Sequence, residues 1–79
     1  MDGRPIQIKL YDFEKVRDFV KITRSFMSDV DVMSGNTVLD GKSILSLYAL
    51  DLSKPLQVRI ISDDIAENRR FDAEMENFR

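Results

Sequence analysis

Apolar and polar residues alternate with period two through Ile6-Gln7-Ile8-Lys9-Leu10, which predicts a strand with one buried face. The period then changes. Phe13, Val16, Phe19, Val20, Ile22 and Phe26 are spaced by threes and fours, predicting a helix from Phe13 to Phe26 with its stripe turned to a core. Asp12 stands just ahead of that stripe, where a carboxylate can accept the first free backbone N–H groups, and Glu14 in the first turn suits the helix dipole. Val30-Asp31-Val32 and Thr37-Val38-Leu39 are β-prone segments on either side of Ser34-Gly35-Asn36, whose Gly and Asn tolerate positive φ, and together they predict a hairpin. A shorter helix is predicted from Ser43 to Leu50. A loop follows from Asp51 to Pro55, because Pro55 disfavours helical geometry at Lys54. Leu56 to Ile61 alternates again as a fourth strand. Ile65, Ala66, Phe71, Met75 and Phe78 then recur at helical spacing, with Asp63 and Asp64 ahead of them as cap and dipole partners.

The resulting order is βαββαβα. A helix separates the first two strands and the next two form a hairpin, so the expected fold is α+β: one mixed or antiparallel sheet with helices on a single face, an open-faced sandwich. A ferredoxin-like strand order fits the same string of elements, and periodicity does not separate the two arrangements. With 79 residues the chain is a single domain, 1–79, and such a domain buries about 60% of the surface its unfolded chain exposes. A hydrophobic share of 43% beside 33% charged residues is that of a globular protein and not of a disordered segment.

Composition narrows the chemistry. There is no cysteine and no histidine, which excludes disulfides and zinc ribbons, fits a cytoplasmic location, and confines acid–base work to carboxylates, lysine and tyrosine. The net charge of −2 is spread along the chain without a basic block, so nucleic acid is not an expected partner. Neither the stretch Met1-Asp2-Gly3-Arg4-Pro5 nor any later segment carries the apolar run of a leader or membrane span.

Gly41-Lys42-Ser43, followed by Ile44, Leu45, Leu47, Tyr48 and Leu50, admits three readings: a phosphate-binding loop, a phosphorylatable helix cap, or a plain helix start. A P-loop needs four residues between its first glycine and the Gly-Lys pair so that backbone N–H groups can curl round phosphates. Gly35 and Gly41 are separated by five, Asn36 to Asp40; three of these suit a strand, and Asp40 would set a negative charge against phosphate. The nucleotide reading fails. Acidic neighbours such as Asp63-Asp64 read as solvated residues at helix starts, and no segment has the alternating ligands of a calcium loop, so neither metal nor cofactor nor small-molecule substrate is expected. No nucleophile–base pair is evident, and the chain reads as non-enzymatic. Arg17, Lys21 and Arg24 follow at steps of four and three on the first helix, a row able to receive an acidic protein partner. On the second helix Leu45 and Tyr48 share one side and Ile44 and Leu47 another, so one pair is expected in the core and the other exposed.

The stretch Phe26-Met27-Ser28-Asp29-Val30-Asp31-Val32, the Gly-Asn turn and Lys42-Ser43-Ile44-Leu45 resemble the middle of HPr, the histidine phosphocarrier of the bacterial phosphotransferase system. The βαββαβα order matches that family over essentially the whole chain. The resemblance implies a four-stranded antiparallel sheet in order 1-4-2-3 covered by three helices. In the family a phosphoacceptor histidine, followed by Ala-Arg-Pro, opens the first helix. Counting back without gaps from Lys42-Ser43 puts Asp12 at the histidine position and Glu14 at the arginine position, so both charges are lost or inverted. The resemblance also places Ser43 at the regulatory serine that Gram-positive members present to a kinase, a role kept by catabolite-repression homologues lacking the histidine. Serine as an N-cap explains the same residue. The expected function is a regulatory or protein-binding module incompetent in histidine phosphotransfer, whose docking face joins Arg17, Lys21 and Arg24 to Ile44, Leu45 and Tyr48. The alternative is a regulator switched by phosphorylation of Ser43.

Overall fold

A computed structural model describes residues 4–79. Met1, Asp2 and Gly3, part of the stretch read above for a leader, lie outside the described residues. Strand β1 (Ile6–Ile8) leads to helix α1 (Phe13–Thr23), the hairpin strands β2 (Asp29–Ser34) and β3 (Thr37–Asp40), helix α2 (Ile44–Tyr48), strand β4 (Leu56–Ile61), helix α3 (Ile65–Met75) and a closing 3-10 turn (Glu76–Phe78). The strands form one sheet in the order β1-β4-β2-β3, and every neighbouring pair is antiparallel. That order resolves the ambiguity left by periodicity in favour of the open-faced sandwich.

Alternation along the strands decides which face the helices cover. Ile8, Val30, Val32, Leu56, Val58 and Ile60 are buried beneath the helices, while Asp31, Met33, Gln57 and Arg59 lie on the other side of the sheet. Val16, Phe19 and Val20 of α1 and Phe71 and Met75 of α3 pack into the same core, with Leu10, Phe26, Leu47 and Phe78. Aromatic rings lock its corners edge to face: Phe19 meets Phe78 at 5.6 Å and Phe26 meets Phe71 at 5.5 Å between centroids. Arg70 lies over the outer side of Phe26, 3.6 Å from the ring centroid, and binds the hydroxyl and carbonyl oxygens of Ser25.

The hairpin turns on two residues. Ser34 pairs with Thr37, and Gly35 has φ +58 whereas no other residue type takes a positive φ among the described residues, so glycine sits at the first central position of a II′-type turn. Several boundaries differ from the pattern-based expectation. Helix α1 ends at Thr23 and not at Phe26, because the Ser25 hydroxyl donates to the Ile22 carbonyl and Phe26 leaves the helical stripe to meet Phe71. The first strand stops at Ile8, although Leu10 is still fully buried. Ile65, expected among the apolar residues of α3, is exposed, since it occupies the first turn ahead of the part of the helix that meets the core.

Candidate functional site

Asp12 has an extended backbone, φ −141 and ψ 168, and its Oδ1 accepts the Lys15 N–H at 2.8 Å. The position to which the resemblance carries the phosphoacceptor therefore holds a helix-capping carboxylate. Glu14, at the arginine position, is exposed in the first turn of α1.

Helix α2 depends on how Gly41-Lys42-Ser43 is held. The Gly41 N–H donates to the Val30 carbonyl at 2.7 Å, and a Cβ on Gly41 would lie 2.8 Å from Val30 Cγ1 and 2.9 Å from Val30 O, so only glycine fits. Thr23, buried at the end of α1, donates its hydroxyl to the Gly41 carbonyl at 2.8 Å. Lys42 reaches back with Nζ to the Phe26 carbonyl at 2.8 Å, while Arg24 Nε donates to the Lys42 carbonyl at 3.1 Å. Strand β3 lies between Gly35 and Gly41, so the two glycines belong to separate turns and no phosphate loop is formed. Ser43 is the N-cap of α2: its oxygen accepts the Ser46 N–H at 3.3 Å, and its hydroxyl lies 3.0 Å from that of Ser46.

The four apolar side chains of α2 divide differently from the two expected pairs. Leu47 is fully buried, Ile44 and Tyr48 are half-buried against the core as an i,i+4 pair on either side of it, and Leu45 is 79% exposed. Phe13, expected in the α1 stripe, is 62% exposed. It lies at the edge of that stripe, and its ring meets Tyr48 edge to face at 4.9 Å and 65° instead of entering the core.

Phe13 and Tyr48 form part of a shallow depression between the start of α1 and the loop after α2. Tyr11 and Asp12 line it from one side, and Leu50, Asp51 and Leu52 from the other. Asp51 Oδ1 accepts both the backbone N–H and the hydroxyl of Ser53, at 3.0 and 2.6 Å, and these bonds, helped by the charge of Lys54, hold its carboxyl below the usual aspartate range. Sequence periodicity missed this depression, although the run Tyr11-Asp12-Phe13 directly before a helical stripe carries a hint of it.

Arg17, Lys21 and Arg24 are all exposed on α1. Arg24 joins α2 through the Lys42 carbonyl, whereas Lys21 also lines a groove with Lys15, Asp18 and the 3-10 residues Asn77 and Phe78. Among the described residues no group of three acidic side chains is placed to hold a metal ion, and no helix is long and apolar enough to cross a membrane.

No protein-family model and no curated protein matches the chain. Among solved structures, that of HPr-C-His from Thermoanaerobacter tengcongensis superposes with a TM-score of 0.73, covering 94% of this chain and 92% of that one at 20% identity. A likeness at that identity is one of architecture, and with the sheet order β1-β4-β2-β3 and three helices on one face it establishes that this chain has the HPr-like open-faced fold.

Proposed function

We propose that the chain is a non-catalytic, HPr-like protein-binding or regulatory module that docks a protein partner through α1 and α2 and does not carry phosphate on a histidine. The observation that carries this reading is the state of the α1 start: a chain without histidine has Asp12 there, its carboxylate spent on the Lys15 N–H, beside a face from which Leu45 and Phe13 project. Exposed aliphatic and aromatic side chains flanked by arginine, here Arg17 and Arg24, are typical anchors of a protein interface. Lys21 extends the basic row along α1, and the half-buried Ile44 and Tyr48 lie on the same short helix as Leu45. The cytoplasm, as in the phosphotransferase system, is the compartment this role implies.

Two measurements test it. Affinity capture with the wild-type chain and with Leu45→Asp should recover a partner that the variant loses while keeping wild-type circular dichroism. Incubation with the phosphotransferase system's phosphodonor enzyme should leave the intact mass unchanged; an acid-labile phosphate on Asp12 would refute the reading.

A second reading, a regulator switched at Ser43, is favoured by Arg24, whose bond to the Lys42 carbonyl sets a guanidinium beside Ser43. A phosphate there would gain a charge-assisted partner and lose the Ser46 cap contacts. Treatment with the serine kinase of the phosphotransferase system and ATP should add one phosphate to wild type and none to Ser43→Ala; no gain in mass removes this reading.

A further inference from the structure

The depression at the α1–α2 junction has a definite chemical character. Its lining combines the aromatic residues Tyr11, Phe13 and Tyr48 and the leucines Leu50 and Leu52 with the acidic residues Asp12 and Asp51, and no lysine or arginine lines it. An anion entering it would meet the negative charges of Asp12 and Asp51. A purely apolar group would strip water from both carboxylates without replacing their partners. A cation satisfies both halves at once, since aromatic rings attract positive charge and carboxylates pair with it.

From this complementarity we infer that the depression receives a lysine or arginine side chain of the docked protein. The depression is open, and Leu45 projects from the same helix that supplies Tyr48, so the cation is held as part of a larger contact and not as an enclosed small molecule. This inference rests on the docking role proposed above and adds the polarity of the partner. The basic part of the partner lies at the Asp12 end, and Arg17 and Arg24 further along α1 face its neutral or acidic part.

The test is an amide-shift titration of the isotope-labelled chain with three capped peptides, Ala-Leu-X-Leu-Ala, in which X is lysine, norleucine or glutamate. The lysine peptide should perturb the amides of Tyr11, Phe13, Tyr48 and Asp51 and bind about fivefold more tightly than the norleucine peptide, with the glutamate peptide weakest. Asp12→Asn combined with Asp51→Asn, which keeps a capping side chain at both positions, should reduce the lysine peptide to the norleucine level. Equal binding of the lysine and norleucine peptides, perturbation centred elsewhere, no perturbation by the lysine peptide, or an unaffected double variant would each overturn the inference. The docking role itself fails separately, when Leu45→Asp leaves partner capture intact.

Discussion

The buried hydroxyl of Thr23 donates to the carbonyl of Gly41 across 18 positions of sequence, so the last turn of α1 is fastened to the residue that launches α2. Removing the hydroxyl while keeping the shape, as in Thr23→Val, leaves the Gly41 carbonyl without its donor inside the core. The expected loss is about 1–3 kcal/mol, read as a lower urea midpoint with unchanged slope. A midpoint equal to wild type would show that the bond contributes nothing.

Gly41→Ala should destabilise the fold by about 1–3 kcal/mol, because the new methyl collides with both the side chain and the carbonyl of Val30. Combining it with Val30→Ala relieves the side-chain collision alone. The double variant should therefore not regain the stability of Val30→Ala measured by itself.

Within α2, two leucines two positions apart should behave oppositely. Leu47→Ala empties a fully buried site and should cost about 2–5 kcal/mol, whereas Leu45→Asp, at an exposed site, should change stability by less than about 0.5 kcal/mol. Thermal or urea unfolding of the two variants checks this directly, and similar losses would contradict the placement of α2.

Asp12 as a cap predicts that Asp12→Ala lowers stability by about 0.5–2 kcal/mol while Asp12→Asn is nearly neutral. Denaturation of both variants measures the difference. Equal losses would mean that the carboxylate charge, and not the hydrogen bond to Lys15, is what the position requires.

Glu67 on α3 accepts from the Ser28 hydroxyl and from the Met27 N–H at 3.1 Å, tying α3 to the connection between α1 and β2. Hydrogen bonds from Ser28 first and Ser62 next bring its carboxyl down from 4.5 to about 2, against a smaller opposing effect of desolvation. A carboxyl whose pKa is lower in the folded state contributes stability above its unfolded pKa and loses that contribution as pH falls through the folded one. Wild type should therefore lose stability between pH 4.5 and about 2 more steeply than Glu67→Gln. Parallel pH profiles would remove this role.

The elements were legible wherever a run of residues shares one face. The α1 stripe through Val16, Phe19 and Val20, the alternation of Leu56 to Ile61 and the Gly-Asn turn all reflect local geometry, and the structure realises each. Strand order was not legible from periodicity, because β1-β4-β2-β3 is a property of pairings between distant segments; only the resemblance to HPr supplied it. Phe13 shows the limit at the candidate site. Its spacing marks it as core, yet a ring at the edge of the stripe can be claimed by a neighbour, and Tyr48, 35 positions later, claims it. Asp51 joined the same depression through a loop whose path no repeat announces.

Phe78 packs its ring on Phe19 and accepts the N–H of Lys9 at 2.6 Å through its carbonyl, while β1 pairs with β4. The order in which a ribosome delivers the chain therefore does not match the order in which contacts can close. The β2–β3 hairpin can form as soon as it emerges, but β1 must wait for residues 56–58, and the ring of Phe19 stays uncovered until residue 78 is out of the exit tunnel. A nascent chain stalled before that point should remain open to proteolysis at its amino-terminal strand.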